Sequence, residues 1–175
     1  MLIMHSSRRS SRKSTYIQKL YTDTIIQSVL SRSDDFSAGL EIKHFEGKGR
    51  GIVTKEPFEK DDVILEYVGE LINLKQAKQR ELEYDINNLK VGYMYFFRYF
   101  DKSYCIDASI ETCRFGRLIN HSRRNPNLKP KIVTVSAYPR LIFIAKHYIG
   151  PGTELLYDYA EKRKEVIDAN PWLLE

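Results

Sequence analysis

Arg117-Leu118-Ile119-Asn120-His121-Ser122 and, well downstream, Glu154-Leu155-Leu156-Tyr157-Asp158-Tyr159 are the two stretches that decide how this chain is read. Both are short, polar and aromatic, and two such signatures far apart in sequence commonly form two walls of one site. The Asn120 amide and the His121 ring offer a donor and an acceptor that suit an adenine edge or a backbone loop. Tyr157 and Tyr159 alternate along an extended segment, which sends both phenols to one face. Each stretch alone also fits a quieter role: a turn with satisfied polar groups, or a pair of core or rim tyrosines. His121 has no second His or Cys cluster at ligand spacing, so a metal centre is not expected. Ser122 lacks the elbow motif of a hydrolase nucleophile.

Upstream stands Gly47-Lys48-Gly49-Arg50-Gly51. Its glycines allow positive φ and close approach of the backbone to a ligand. Lys48 and Arg50 set cations beside exposed amides, which suits a carboxylate or phosphate. The spacing matches neither a Walker loop nor a dinucleotide fingerprint, and a plain hairpin turn is the simpler alternative.

Around these motifs the pattern is mainly one of strands. The spacing predicts a helix from Thr15 to about Leu30, with Ile17, Leu20, Tyr21, Thr24, Ser28 and Val29 on one stripe and Ser33-Asp34-Asp35 at its end. Leu40, Ile42 and Phe45 alternate into the glycine-rich turn and on to Ile52-Val53, a hairpin. Val63 to Val68 reads as a buried strand. Asn73, with Gln76 three residues later, caps a helix running to about Tyr84. Tyr93 to Phe100 alternates with both faces largely apolar, so cover on both sides is expected. Asp101-Lys102-Ser103 turns that strand back into Tyr104 to Ile106. Arg123 to Lys131 reads as a loop. Val133 to Ser136 and Leu141 to Ala145 are further strands joined by a turn containing Pro139, and Pro151-Gly152 leads into a last strand, Leu155 to Tyr157. Many short strands and few helices give a mostly β architecture with short helices, a β-rich α+β class.

Composition sets the outer limits. The 175 residues make one domain with a short appendage, enough to bury a core. No stretch reaches the about 18 apolar residues of a membrane span, and no apolar signal core is found at the start. Cys105 and Cys113 support neither a disulfide framework nor a zinc cluster, and the expectation is two reduced thiols in an intracellular protein. Arg8, Arg9, Arg12, Lys13 and Lys19 all precede the first acid, Asp23, so the net charge of +5 belongs to a Ser/Arg-rich start and the body is neutral. Residues 1–14 read as a basic disordered arm, either simply solvated or drawn to nucleic-acid phosphate. Residues 15–37 follow as helix and linker.

Taken together and in order, Gly47 to Gly51, Glu66-Tyr67-Val68-Gly69-Glu70, Tyr93-Met94-Tyr95, Ile106-Asp107-Ala108, Arg117 to Ser122 and Glu154 to Tyr159 resemble the SET-domain protein lysine methyltransferases over residues 38–160. Within that family the likeness is to the enzymes that monomethylate lysine 20 of histone H4. It rests on Tyr93-Met94-Tyr95, on Glu111-Thr112 ahead of the Asn-His-Ser motif, and on Asn170-Pro171-Trp172-Leu173. The resemblance implies the SET fold, with a C-terminal segment threaded beneath a preceding loop and residues 161–175 completing the cofactor site.

It also implies S-adenosylmethionine as methyl donor and no zinc. Tyr159 is then the catalytic tyrosine, with Tyr67 and Tyr157 holding the amine. Lys48, Gly49, Arg50, Tyr93, Asn120, His121 and Trp172 are the implied cofactor contacts. The implied partners are the histone H4 tail and the nucleosome, with DNA phosphate held by the basic arm. The implied setting is a monomer in the nucleus, on the chromosome, without a membrane. Gly92, Ala160 and Asn170 depart from the family's cysteine, glycine and histidine at those places. Two other classes fit less well: a SET-fold chromatin-binding module without catalysis, and a nucleic-acid-binding β domain stacking bases on the strand from Tyr93.

Overall fold

The computed structural model describes residues 19–20, 22–86, 93–162 and 164–174. The predicted arm 1–14, Ile17 and Tyr21 of the predicted helix, and Gly92 lie outside the described residues.

Two units divide the chain, Met1–Arg32 and Ser33–Glu175. In the first, residues 22–30 are helical (α1), and Ser31 closes the end through its amide on the Gln27 carbonyl and its hydroxyl on that of Ser28. The buried side chains are Ile26, Val29 and Leu30, whereas Leu20, Thr24 and Ser28 are exposed. Val29 therefore lies on the buried stripe as expected, but Leu20, Thr24 and Ser28 do not. Hydroxyl residues placed in the apolar stripe belong instead to the wet face, where Thr24 back-bonds to the Leu20 carbonyl.

The second unit is built from small sheets. β1 (Leu40–Phe45) and β2 (Gly49–Thr54) form the predicted hairpin, with Ile42 opposite Ile52 and Phe45 opposite Gly49. Gly47 and Gly49 take φ of 75° and 79° in its turn, a region that side chains resist. β3 (Val63–Glu66) pairs with β9 (Tyr138–Ala145), which pairs in turn with β8 (Leu128–Val135). β4 (Glu70–Asn73) and β5 (Met94–Tyr99) flank β6 (Lys102–Asp107). All are antiparallel, and the four-residue β3 is buried throughout, as its apolar run demands. The main core gathers residues from every one of these sheets, including Ile52, Leu65, Ile106, Leu118, Leu141, Phe143 and Leu155.

α2 (Leu74–Ile86) opens with the expected reciprocal cap: the Gln76 amide donates to Asn73 Oδ1 and the Asn73 amide to Gln76 Oε1, each at 3.0 Å. Three strand readings need correction. β8 begins at Leu128, inside the predicted loop. Its Pro130 is tolerated because β8 is an edge of its sheet, where a missing N–H can face outward. The β8–β9 turn is Ser136-Ala137, both at positive φ, and Pro139 lies within β9. Finally, the second face of β5 is covered only at its start, where Met94 packs against Ile72, Ala77 and Cys105. Tyr93, Tyr95, Phe97 and Tyr99 are half-buried, but Phe96 and Arg98 are exposed, and Phe100 leaves the strand at φ 50° with 83% of its surface exposed.

A buried chain of charges fixes the ground beneath the site. Arg140 holds Glu66 through two nitrogens, Arg114 lies 3.6 Å from Glu66 and 3.2 Å from Asp35, and Asp35 also accepts the Phe115 amide at 2.8 Å. Such pairs add modestly to stability when intact, but losing one partner strands a buried charge at a cost of about 3–5 kcal/mol. They hold the segment before Gly116–Leu118, a 3₁₀ turn, against the end of β3. Gly116 itself has no room for a Cβ beside the Glu66 carbonyl and Tyr67 Cα.

Candidate active site

The two motifs that open the sequence reading meet as a parallel strand pair. β7 (Asn120–His121) and β10 (Leu156–Tyr157) align Asn120 with Leu156 and His121 with Tyr157. Two residues do not make a stable ladder, so side chains reinforce it. The buried Asn127 receives the Leu156 amide at Oδ1 (2.8 Å) and donates its own amide to the Glu154 carbonyl (2.7 Å). The Ser122 amide reaches the Tyr157 carbonyl.

His121 is buried and used at both nitrogens. Nδ1 lies 3.0 Å from the Tyr159 amide and Nε2 lies 3.0 Å from the Leu173 carbonyl. An amide can only donate and a carbonyl only accept, so the ring is the neutral tautomer protonated on Nε2. One imidazole thereby fixes the end of β10 and the C-terminal turn together. Leu173 belongs to the 3₁₀ turn Pro171–Leu174, which follows α3 (Lys164–Ala169). Trp172 in the same turn is 50% exposed, with its ring edge-on to His121 (6.0 Å between centroids) and Tyr159 (6.3 Å).

Beside this lies an aromatic cage. Tyr67, Tyr95, Tyr157 and Phe143 close a ring of contacts, with centroids 5.7 Å, 6.3 Å, 4.7 Å and 6.3 Å apart around it. Tyr159 adds a fifth ring 4.6 Å from Tyr157. The Tyr67 hydroxyl donates to the Tyr93 carbonyl (2.8 Å) and that of Tyr159 to the Ile119 carbonyl (2.9 Å). Burial pushes the phenols of Tyr67, Tyr157 and Tyr159 well above the ordinary tyrosine value, with neighbouring phenols adding to the effect. All three are neutral hydroxyls at any physiological pH.

A charged rim borders the cage. Glu154 accepts from Lys48 Nζ (3.0 Å) and Asn120 Nδ2 (2.9 Å). Gly51 permits this closeness, since a Cβ there would sit 2.5 Å from Asn120 Nδ2. Glu111 receives both terminal nitrogens of Arg50 (2.5 and 2.9 Å) and lies 3.2 Å from Arg117, whose guanidinium rests 3.7 Å over the Tyr93 ring. The Arg50 bonds hold the Glu111 carboxyl below its usual range.

The structure thus sorts the predicted residues into groups. Tyr67, Tyr157 and Tyr159 share the cage. Lys48 and Asn120 meet on Glu154, Arg50 and Tyr93 meet through Glu111 and Arg117, and His121 adjoins Trp172. Gly49 shapes the turn that carries Lys48 and Arg50. Residue-by-residue reading passed over Glu154, Arg117, Glu111, Tyr95 and Phe143. Four of them stood inside quoted motifs, but their partners lie across the fold and no spacing reveals them. Among the described residues no group of His, Cys, Asp or Glu could hold a metal ion.

This donor set fits a zwitterionic nucleoside. Lys48, Arg50 and Arg117 face two carboxylates, Glu111 and Glu154, which leaves one positive charge for a ligand carboxylate. The half-exposed Trp172 offers an aromatic face to a planar base.

A cage of neutral phenols beside a charged rim, on small sheets joined by a short parallel pair, defines a class of protein. The SET domain family model matches residues 49–160, and the chain belongs to that family. It is 42% identical to the histone-lysine N-methyltransferase Set8 of Drosophila melanogaster over 95% of its length, covering 24% of that protein. It is 42% identical to the N-lysine methyltransferase KMT5A-A of Danio rerio over 98% of its length, covering 48%. With the histone-lysine N-methyltransferase set-1 of Caenorhabditis elegans the identity is 40%, covering 98% of this chain and 69% of that one. A crystal structure of CpSET8 from Cryptosporidium superposes with a TM-score of 0.66 at 45% identity, over 71% of this chain and 58% of that one. The chain therefore spans half or less of the first two relatives.

Proposed function

We propose that this protein is an S-adenosylmethionine-dependent protein lysine N-methyltransferase that adds a single methyl group to lysine 20 of histone H4 in nucleosomes, in the nucleus. The observation that carries the reading is the cage of Tyr67, Tyr95, Tyr157 and Tyr159 against the His121-anchored turn. It is supported by relatives that are named as histone-lysine and N-lysine methyltransferases.

When bound, S-adenosylmethionine supplies a methyl group on a sulfonium sulfur. Lys48, Arg50, Asn120, His121, Tyr93 and Trp172 would hold it on the rim side, with Gly49 letting the turn approach. On the cage side, buried aromatic walls disfavour an ammonium ion, so an entering lysine gives its proton to solvent before it reacts. The phenols stay protonated, so no phenolate is present to serve as a base. Their work is to orient the neutral amine, and alignment of this kind supplies several kcal/mol of rate. Tyr159, held at its amide by His121 and at its hydroxyl by Ile119, is assigned the catalytic place by its likeness to the family's last tyrosine. Tyr67 and Tyr157 flank the amine.

The parallel β7–β10 pair and the Asn127 clamp support a threaded path for the C-terminal segment. The basic start supports contact with DNA phosphate, with the enzyme acting as a monomer on chromatin. An inactive chromatin-binding module is disfavoured because every cage phenol is retained. Transfer of radiolabel from S-adenosylmethionine to recombinant nucleosomes, beside a free-RNA binding control, tests the reading. Labelled H4 supports it, and RNA binding without label refutes it.

A further inference from the structure

The four cage phenols are not equivalent. The hydroxyls of Tyr67 and Tyr159 are spent on backbone carbonyls, whereas those of Tyr95 and Tyr157 have no hydrogen-bond partner among the described residues. A phenol near a protein interior normally finds a partner, so two without one face whatever enters the cage. Tyr157 is 5% exposed and lies at the floor with Phe143. Tyr95 is half-buried, belongs to the inward face of β5, and packs its ring against both Tyr67 and Tyr157.

We propose that Tyr95 is a specificity-determining residue: its unpartnered hydroxyl, with that of Tyr157, occupies the space that a once-methylated amine needs in order to turn for a second transfer. The inference rests on the methyltransferase reading above. In a second transfer the secondary amine must lose its proton to solvent and aim its lone pair at the sulfonium methyl. The N–C bond then forms as the C–S bond breaks and a neutral thioether leaves with the electron pair. A methylamine hydrogen-bonded to two hydroxyls, or to a water they share, is held facing away. Phe143 and Phe97 sit beside these rings without a hydroxyl, so the polar contacts of this corner come from Tyr95 and Tyr157.

The test compares wild type, Tyr95→Phe, Tyr157→Phe and the double variant on recombinant nucleosomes, with products resolved by mass spectrometry. Phenylalanine keeps the ring packing, so folding is not at stake. Tyr95→Phe is expected to raise the ratio of dimethyl- to monomethyl-lysine about tenfold, the scale of one hydrogen bond to a buried group, and the double variant to exceed Tyr157→Phe. A ratio unmoved by Tyr95→Phe in both backgrounds overturns the proposal. Calorimetry with H4 peptides carrying monomethyl- or dimethyl-lysine runs in parallel and needs no turnover. Tyr95→Phe should narrow the preference between the two peptides, and an unchanged preference counts against Tyr95. If wild type transfers no methyl, the proposed function fails, and the peptide preference alone then decides whether Tyr95 sets the space.

Discussion

The amide of Tyr159 lies 3.0 Å from Nδ1 of His121, and that contact extends the β7–β10 pairing by which the two sequence motifs meet. With Nε2 of the same ring on the Leu173 carbonyl, His121 ties the end of β10 to the turn that presents Trp172. Both of its ring nitrogens are engaged by backbone groups, which suits a positioning part.

Tyr159→Phe should lower kcat by at least about a hundredfold while cofactor affinity stays within about threefold. The hydroxyl it removes donates to the Ile119 carbonyl, a bond contributing about 0.5–1.5 kcal/mol to stability, so the melting temperature should fall only slightly. Single-turnover kinetics beside calorimetry checks this. A near-normal rate would remove Tyr159 from the mechanism.

Trp172→Ala should weaken S-adenosylmethionine binding by about tenfold, or about 1.4 kcal/mol. Its ring is half exposed and its Nε1 reaches Asn170 just before the turn, so little core packing is lost. Unchanged affinity with a lowered melting temperature would make it a packing residue.

The pH dependence follows from the phenols. Tyr67, Tyr157 and Tyr159 are all raised above 10.0 by burial, so the folded state holds their protons where the unfolded state releases them. Their contribution to stability is then full below about pH 10 and falls as pH climbs through and beyond it. Turnover should rise toward that limit as the substrate lysine deprotonates. An ultraviolet titration should find these tyrosines un-ionised until the protein unfolds, and early ionisation of all twelve tyrosines would contradict the buried cage.

Ala160→Gly should stabilise the fold by up to about 1 kcal/mol. Ala160 sits at φ 54° just after Tyr159, where a Cβ is strained and glycine is not. The Asp158 carboxylate already holds its amide at 2.8 Å, so the turn itself should persist. Thermal unfolding of the two forms measures the gain, and a loss would show that Asp158 has absorbed the strain.

What was legible in the sequence was local or repeated at short range. The glycine turn, the Asn73–Gln76 cap and the alternation of Tyr157 and Tyr159 each write their structure into adjacent residues. The stripe of α1 holds at Val29 but fails at Thr24 and Ser28, which match a helical period without being apolar. β5 was expected to be covered twice because Phe96 and Phe100 carry no mark distinguishing an open face from a buried one. The rim was hidden for a different reason: Lys48 with Glu154, and Arg50 with Glu111, are pairs of long-range geometry. The cage shows the same limit, since Tyr95 and Phe143 read as ordinary strand residues until Tyr67 and Tyr157 are set beside them.

The most direct test of the account is the product itself. Recombinant protein, S-adenosylmethionine and unmodified nucleosomes are reacted to exhaustion, and every histone lysine is mapped by mass spectrometry. The account predicts monomethyl-lysine at position 20 of H4. Absence of methylation, modification at another lysine only, or di- and trimethyl product from the unmutated protein would contradict it.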